Sequence, residues 1–141
     1  MTTDAAASPP YLFVYGTLMP DAGSALGRAE RARLMREGRH LGTATITAAL
    51  YDLGAYPALV LDGAEAGIVH GHVFQLATPA ETLAWLDAYE GLADGDPAPA
   101  EYVRTVRAVS LADGSRVAAW VYAAPRDPAG RKRIPEGRWR A

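Results

Sequence analysis

The sequence predicts an α+β fold built on a mixed sheet or small barrel. Three observations lead there. Strand-like segments outnumber helical ones, with only two helices in the whole chain. Those helices do not alternate with strands as a doubly wound parallel sheet requires. Two strong β-forming runs also flank a short turn near the C-terminal end, which reads as a hairpin. At 141 residues the chain is long enough for one domain with a real core and too short for two comfortable ones.

In chain order, residues 1–9 are small and polar and are expected to be disordered, leaving 10–141 as a single domain. Tyr11 to Tyr15 is a β-forming run stopped by Gly16, and a loop follows to Gly23. Ser24 to Glu37 reads as a helix with Leu26, Ala29, Leu34 and Met35 roughly on one side and Gly38 as its stop. Leu41 to Leu53, rich in Thr and Ala, suggests one or two strands. Tyr56 to Leu61 is a short strand before the Asp62-Gly63 turn signal. Gly67 to Leu76 is a longer one.

The clearest helix comes next. Thr78 is a natural N-cap, Pro79 takes the first helical position, and Glu81 completes a Thr-x-x-Glu capping box. This helix runs to about Glu90 and stops at Gly91. Leu92 to Glu101 is a loop rich in Ala, Pro, Asp and Gly. Tyr102 to Leu111 and Arg116 to Ala124 form the hairpin. From about residue 125 the chain is a basic tail rich in Pro and Gly.

Composition narrows the function. Half the residues are apolar, 21% are charged and the net charge is −2, values of an ordinary globular protein. A balance so near neutral opposes broad electrostatic binding to nucleic acid. With no cysteine there is no disulfide, no thiolate nucleophile and no Cys-based zinc site. Met1 to Pro10 lacks the basic and apolar regions of a signal peptide, and no apolar run nears the roughly 20 residues that span a bilayer. A cytoplasmic location, no membrane contact and no cofactor are the expectations.

One carboxylate lies where an apolar side chain belongs. Leu83 and Leu86 mark the core stripe of the second helix, and Glu90 follows Leu86 by four residues, on the same stripe. Partial burial favours the neutral carboxyl, and so does the negative end of the helix dipole. Both effects move Glu90 toward the range in which a carboxyl group shuttles protons well. A Glu at a frayed helix end, facing solvent or paired with an arginine, fits the pattern equally. Asp87, one position past Leu86, reads as a surface or cap residue.

Tyr15-Gly16-Thr17-Leu18 follows the first strand directly. Gly16 lets the backbone approach a ligand, and successive N–H groups after such a turn can face an anion or a developing oxyanion. A plain strand-to-loop turn with Tyr15 in the core is the simpler reading.

Taken together, these segments resemble the γ-glutamylcyclotransferase superfamily, including its AIG2-like branch. The resemblance rests on an ordered set of short motifs over about residues 11–124. They are Phe13-Val14-Tyr15-Gly16-Thr17-Leu18, Tyr56-Pro57-Ala58-Leu59 and Gly67-x-Val69-x-Gly71-x-Val73-Phe74. Leu86-Asp87-x-Tyr89-Glu90-Gly91, Tyr102-x-Arg104 and Ala119-Trp120-Val121-Tyr122 complete them. The resemblance implies a compact mixed β-barrel flanked by helices, with a cavity between the Tyr-Gly-x-Leu loop and the Glu-bearing helix end. It implies closure of a γ-glutamyl group to 5-oxoproline with release of an amine or amino acid, and Glu90 as general acid/base.

In that reading the backbone of Gly16, Thr17 and Leu18 holds a small γ-glutamyl substrate, and Tyr15 and Tyr122 line its pocket. Arg104 either binds the substrate carboxylate or pairs with an internal acid, and Tyr102 carries the same ambiguity. Tyr56-Pro57 reads as a strand-entry turn. The loop from Leu92 to Glu101 is either a lid or idle disorder. The leaving group and the oligomeric state are not legible in the sequence.

Three rival readings compete. His70-Gly71-His72 puts two imidazoles on one strand face, as in a metal site. A cupin-like spacing, however, would need Gly at 64 and Glu at 76 or 77, where Ala64, Leu76 and Ala77 stand, and nothing places His40 nearby. No metal is therefore expected. Arg131-Lys132-Arg133 and Arg138-Trp139-Arg140 read as solvated surface rather than a nucleic-acid contact. A non-catalytic ligand-binding or interaction module on the same fold is the remaining alternative.

Overall fold

The computed structural model describes residues 9–23, 25, 27–54, 57–62, 66–89, 102–124 and 130–139. Its elements are β1 (Tyr11–Val14), α1 (Arg28–Glu37), β2 (Gly38–Asp52), β3 (Pro57–Val60) and β4 (Gly67–Leu76). They continue with α2 (Pro79–Tyr89), β5 (Val103–Leu111), β6 (Arg116–Ala123) and β7 (Lys132–Arg133). Strands β2, β4, β1, β6 and β5 hydrogen-bond in that order. A further pairing of β2 with β5, through Ala44–Leu111 and Thr45–Ser110, closes them into a five-stranded barrel. β1 and β6 run parallel, while the other pairs are antiparallel. β3 and β7 attach to the long β2.

The alternation of side chains along each strand divides the core in two. On β1, Phe13 points into the barrel with Ile46, Leu50, Val69, Val73 and Val121, and Tyr15 just beyond the strand joins them. Leu12 and Val14 point outward, where they meet Leu34 of α1, Phe74 of β4, and Leu83 and Leu86 of α2. Gly71 sits at an inward position because nothing larger fits. A Cβ there would lie 2.2 Å from the Val14 carbonyl oxygen and 2.7 Å from the Phe13 ring.

Several elements differ from expectation. Gly27 occupies the left-handed region immediately before α1, so the helix starts at Arg28 rather than Ser24. Leu34 is the one buried residue of α1, whereas Met35 is half exposed and does not share its face. Residues 34 and 35 are adjacent and therefore about 100° apart around a helix. The Leu41 to Leu53 segment falls in one 15-residue strand that begins earlier, at Gly38, and ends at Asp52, bulged between His40 and Gly42. The tail is not merely a solvated surface: Lys132–Arg133 pairs with Tyr51–Asp52, and Ile134 and Trp139 pack against the core. Gly137 is buried at φ +69 against the Ile68 carbonyl, where any side chain would collide.

Of the expected disordered N-terminus, residues 1–8 lie outside the described residues. Pro9 and Pro10 are held by the indole N–H of Trp120 and the backbone N–H of Leu76. Among the described residues no helix is long and apolar enough to cross a membrane.

Candidate active site

The loop after β1 is fixed from several sides. The Tyr15 hydroxyl donates to the carbonyl of Tyr122 at the far end of β6. Gly16 passes under Pro57 so closely that a Cβ would come within 2.9 Å of the proline ring. The Pro57 carbonyl in turn accepts a 2.7 Å hydrogen bond from the buried Tyr102 hydroxyl. Met19 N–H donates to the Gly16 carbonyl at 3.0 Å and turns the chain back. Leu18 is buried in the outer core.

Thr17 is the most constrained residue of the loop. Its hydroxyl shares a 3.0 Å hydrogen bond with the Tyr89 hydroxyl, and its carbonyl accepts from Arg31 Nη1 at 2.6 Å. Gly27 closes the arrangement from below: a Cβ there would lie 2.8 Å from Tyr89 Oη and 3.1 Å from Thr17 Oγ1. Both its positive φ and this crowding select glycine.

The last turn of α2 is anchored on a second side through Asp87. Arg104 Nε and Nη2 donate to its two carboxylate oxygens at 2.7 and 3.0 Å, a bidentate pair. The Tyr122 hydroxyl donates to the same carboxylate at 2.6 Å. The Arg104 guanidinium also lies 4.5 Å above the Trp120 ring. Asp87 is thus only about a quarter exposed and its acceptor capacity is largely committed, a different setting from the surface or cap position its spacing suggested.

The first half of α2 is fastened by Glu37 at the end of α1. One Glu37 oxygen accepts from Thr82 Oγ1 at 2.6 Å and from Trp85 Nε1 at 2.9 Å. The other accepts from Arg33 Nε at 2.7 Å. The Thr82 and Trp85 bonds, then that of Arg33, hold its carboxyl at about 2, below the ordinary 4.5.

The structure therefore brings Tyr15, Gly16, Thr17, Leu18, Tyr122 and Arg104 around the end of α2, directly or through Asp87 and Tyr89. Glu90, the residue after Tyr89, lies outside the described residues, as do Tyr56 and the loop 92–101. Sequence reasoning missed Arg31, Asp87 and Tyr89 as organisers of the loop. The acidic and aromatic residues just before Glu90 were a usable signal, but no local pattern pointed to Arg31.

The histidines divide differently from expectation. His40, which nothing in the sequence placed, stands against His72 with 2.9 Å between Nε2 and Nδ1, and His72 Nε2 lies 3.5 Å from Asp21. No group of three potential metal ligands occurs among the described residues.

A sequence profile of the family described as "Gamma-glutamyl cyclotransferase, AIG2-like" matches residues 12–141. No protein of curated function matches the chain. Several solved structures share the fold. An AIG2-like protein from Mus musculus superposes with a TM-score of 0.69 at 19% identity, covering 94% of this chain and 95% of that one. YkqA from Bacillus subtilis gives 0.64 at 20% identity over 92% of this chain, which spans only 39% of that longer protein. The uncharacterised PH0828 from Pyrococcus horikoshii gives 0.59 at 24% identity, covering 91% and 87%. With the motifs of the loop after β1 and of the end of α2 inside the matched region, the chain belongs to the AIG2-like γ-glutamyl cyclotransferase family.

Proposed function

We propose that the protein is a γ-glutamylcyclotransferase acting on a small γ-glutamyl amide or peptide, with Glu90 as its general acid/base. The observation that carries this reading is the hydrogen bond between Thr17 and Tyr89. It ties the Tyr-Gly-Thr-Leu loop to the helix turn immediately before Glu90.

In the proposed reaction Glu90 takes a proton from the substrate's α-ammonium group. The freed amine attacks its own γ-carbonyl, closing a five-membered ring. As the tetrahedral centre collapses, the γ-C–N bond breaks, Glu90 returns the proton to the leaving nitrogen, and the second proton, shed by the ring nitrogen, converts the released amine to its ammonium form. The products are 5-oxoproline and a free amine or amino acid. No protein nucleophile is required, in keeping with a chain that has no cysteine. Holding the substrate in the ring-closing pose supplies proximity. Backbone N–H groups of Gly16 to Leu18 steady the substrate carbonyl as charge develops. Tyr15, through Tyr122, and Arg104, through Asp87, act as positioning residues.

The test is 5-oxoproline release from a panel of γ-glutamyl dipeptides, γ-glutamylamines and ε-(γ-glutamyl)lysine, comparing the wild type with Glu90→Gln. Release by the wild type and loss in a folded variant supports both reaction and residue, and the productive substrate identifies the leaving group. Release that survives Glu90→Gln overturns the mechanism. No release from any substrate leaves the non-catalytic module as the reading.

A further inference from the structure

A cleft lies on the outer face of the barrel, bounded by the loop after β1 and by the tail. Its volume is about 350 Å³, at the lower end of the range for small-molecule sites. Its floor is made of outward-facing residues of three strands. Thr43 and Thr45 alternate on β2 with Ala44 and Ile46 of the inner core, and Ser110 follows the inward Val109 on β5. Asp21 of the loop and Arg138 and Trp139 of the tail complete the lining.

The tail residues are delivered there by fixed geometry. The buried Gly137 accepts from the His70 backbone N–H at 2.8 Å and donates to the Ile134 carbonyl at 3.1 Å. Its left-handed φ, packed against Ile68, determines where the next two residues go. The indole N–H of Trp139 is buried and has no hydrogen-bond partner among the described residues. Leaving such a donor unsatisfied costs about 1–3 kcal/mol, which an acceptor on a ligand would recover.

The charges of the cleft are complementary to a zwitterion. Arg138 brings one full positive charge near His70, and Asp21 brings one full negative charge 3.5 Å from His72 Nε2. His70 and His72 add no lasting charge. Burial and the nearby Arg138 lower the basicity of His70, and burial lowers that of His72, with His40 adding to it and Asp21 opposing it. We infer that this cleft binds a free α-amino acid. Arg138 and the Trp139 N–H take its carboxylate, Asp21 its ammonium group, and Thr43, Thr45 and Ser110 its remaining polar edge. This site is separate from the one around Thr17 and Tyr89 and does not depend on the cyclotransferase reading. It shares the loop after β1 with that site, since Met19 lines the cleft two residues beyond Thr17.

The experiment is a ¹H–¹⁵N NMR titration of the full chain with a panel of the common L-amino acids, using acetate and methylamine as half-ligand controls. The expected result is a saturable downfield shift of the Trp139 indole N–H, with shifts of the Thr43 and Thr45 amides, for at least one amino acid. Arg138→Gln and Asp21→Asn each weaken that binding about tenfold, roughly 1.4 kcal/mol, while thermal unfolding stays unchanged because both side chains are exposed. Glu90→Gln leaves it unaffected. Three outcomes overturn the inference: no amino acid moves the indole resonance, acetate alone binds as tightly as the amino acids, or the shifts map to Tyr15 to Leu18 instead of the cleft.

Discussion

The hydroxyls of Thr17 and Tyr89 share a 3.0 Å hydrogen bond between residues 72 positions apart in sequence. It joins the loop after β1 to the last turn of α2, and Gly27 leaves only enough room for the pair to form. A neutral hydrogen bond of this kind contributes about 1 kcal/mol to stability, but its effect on the site exceeds that contribution if the loop must be held for ring closure. Tyr89→Phe is expected to lower kcat/KM for 5-oxoproline release about tenfold or more, with a loss of stability near 1 kcal/mol. Steady-state kinetics beside urea unfolding separates the two, and a variant that loses stability but keeps full kcat/KM would remove the positioning role.

Arg31 reaches the same residue from the other side, through the Thr17 carbonyl. Arg31→Met keeps the length of the side chain and removes the donor. The expected result is a rise in KM larger than any fall in kcat, because the loop backbone proposed to hold the substrate is loosened while Glu90 is untouched. A fall in kcat at constant KM would contradict this.

Asp87, Arg104 and Tyr122 form one hydrogen-bonded unit. Removing one member breaks hydrogen bonds among partly buried groups, so Asp87→Asn and Arg104→Met should each cost about 1–3 kcal/mol. The double variant should cost clearly less than the sum. Chemical denaturation of the four proteins of the cycle measures the coupling, and simple additivity would show that the pair is not a unit.

Glu37 sets an acid limit. Its carboxyl is held at about 2 in the folded chain, against an ordinary 4.5. A depressed carboxylate contributes stability that is fully present above about pH 4.5 and is lost as the pH falls toward 2. Because Glu37 is partly exposed, solvent screening reduces the contribution to about 1–2 kcal/mol. The Glu37→Gln variant should be less stable than wild type at neutral pH and converge with it near pH 2–3. Parallel curves across that window would dismiss the assignment.

Gly71→Ala tests how tightly the barrel is closed. The new methyl group meets the Val14 carbonyl oxygen and the Phe13 ring, both part of the framework rather than flexible ends. A loss of about 3 kcal/mol or more is expected, at the upper limit of ordinary overpacking. Thermal unfolding decides it, and a change within 1 kcal/mol would mean that β1 and β4 can separate locally.

Much of this fold was legible because its signals are local. The run Tyr11 to Tyr15 alternates into the two cores, the Thr78-Pro79 start of α2 is followed by the buried Leu83 and Leu86, and the Ala112 to Ser115 turn joins β5 to β6. Each depends on periodicity or on turn chemistry within about a dozen residues. Met35 was misplaced because a helix of one buried residue carries too little periodicity to define a face.

The candidate site was legible only as a set of residue types. Tyr15 to Leu18, Arg104 and Tyr122 could be named from the chain, as could the polar residues before Glu90. That Thr17 meets Tyr89, that Arg104 grips Asp87, and that His40 faces His72 could not. Those contacts depend on strand register and on the closure of β2 onto β5, which bring together segments no local pattern relates. The same holds for the tail. By composition it is a basic, Pro- and Gly-rich stretch, yet the edge of β2 and the backbone N–H of His70 offer it pairing that its own residues do not announce. Sequence alone thus determined the elements and the chemistry available to the protein. The closed barrel decided which of those groups stand within hydrogen-bond reach of one another, because contact across a barrel is a property of register and closure rather than of any single segment.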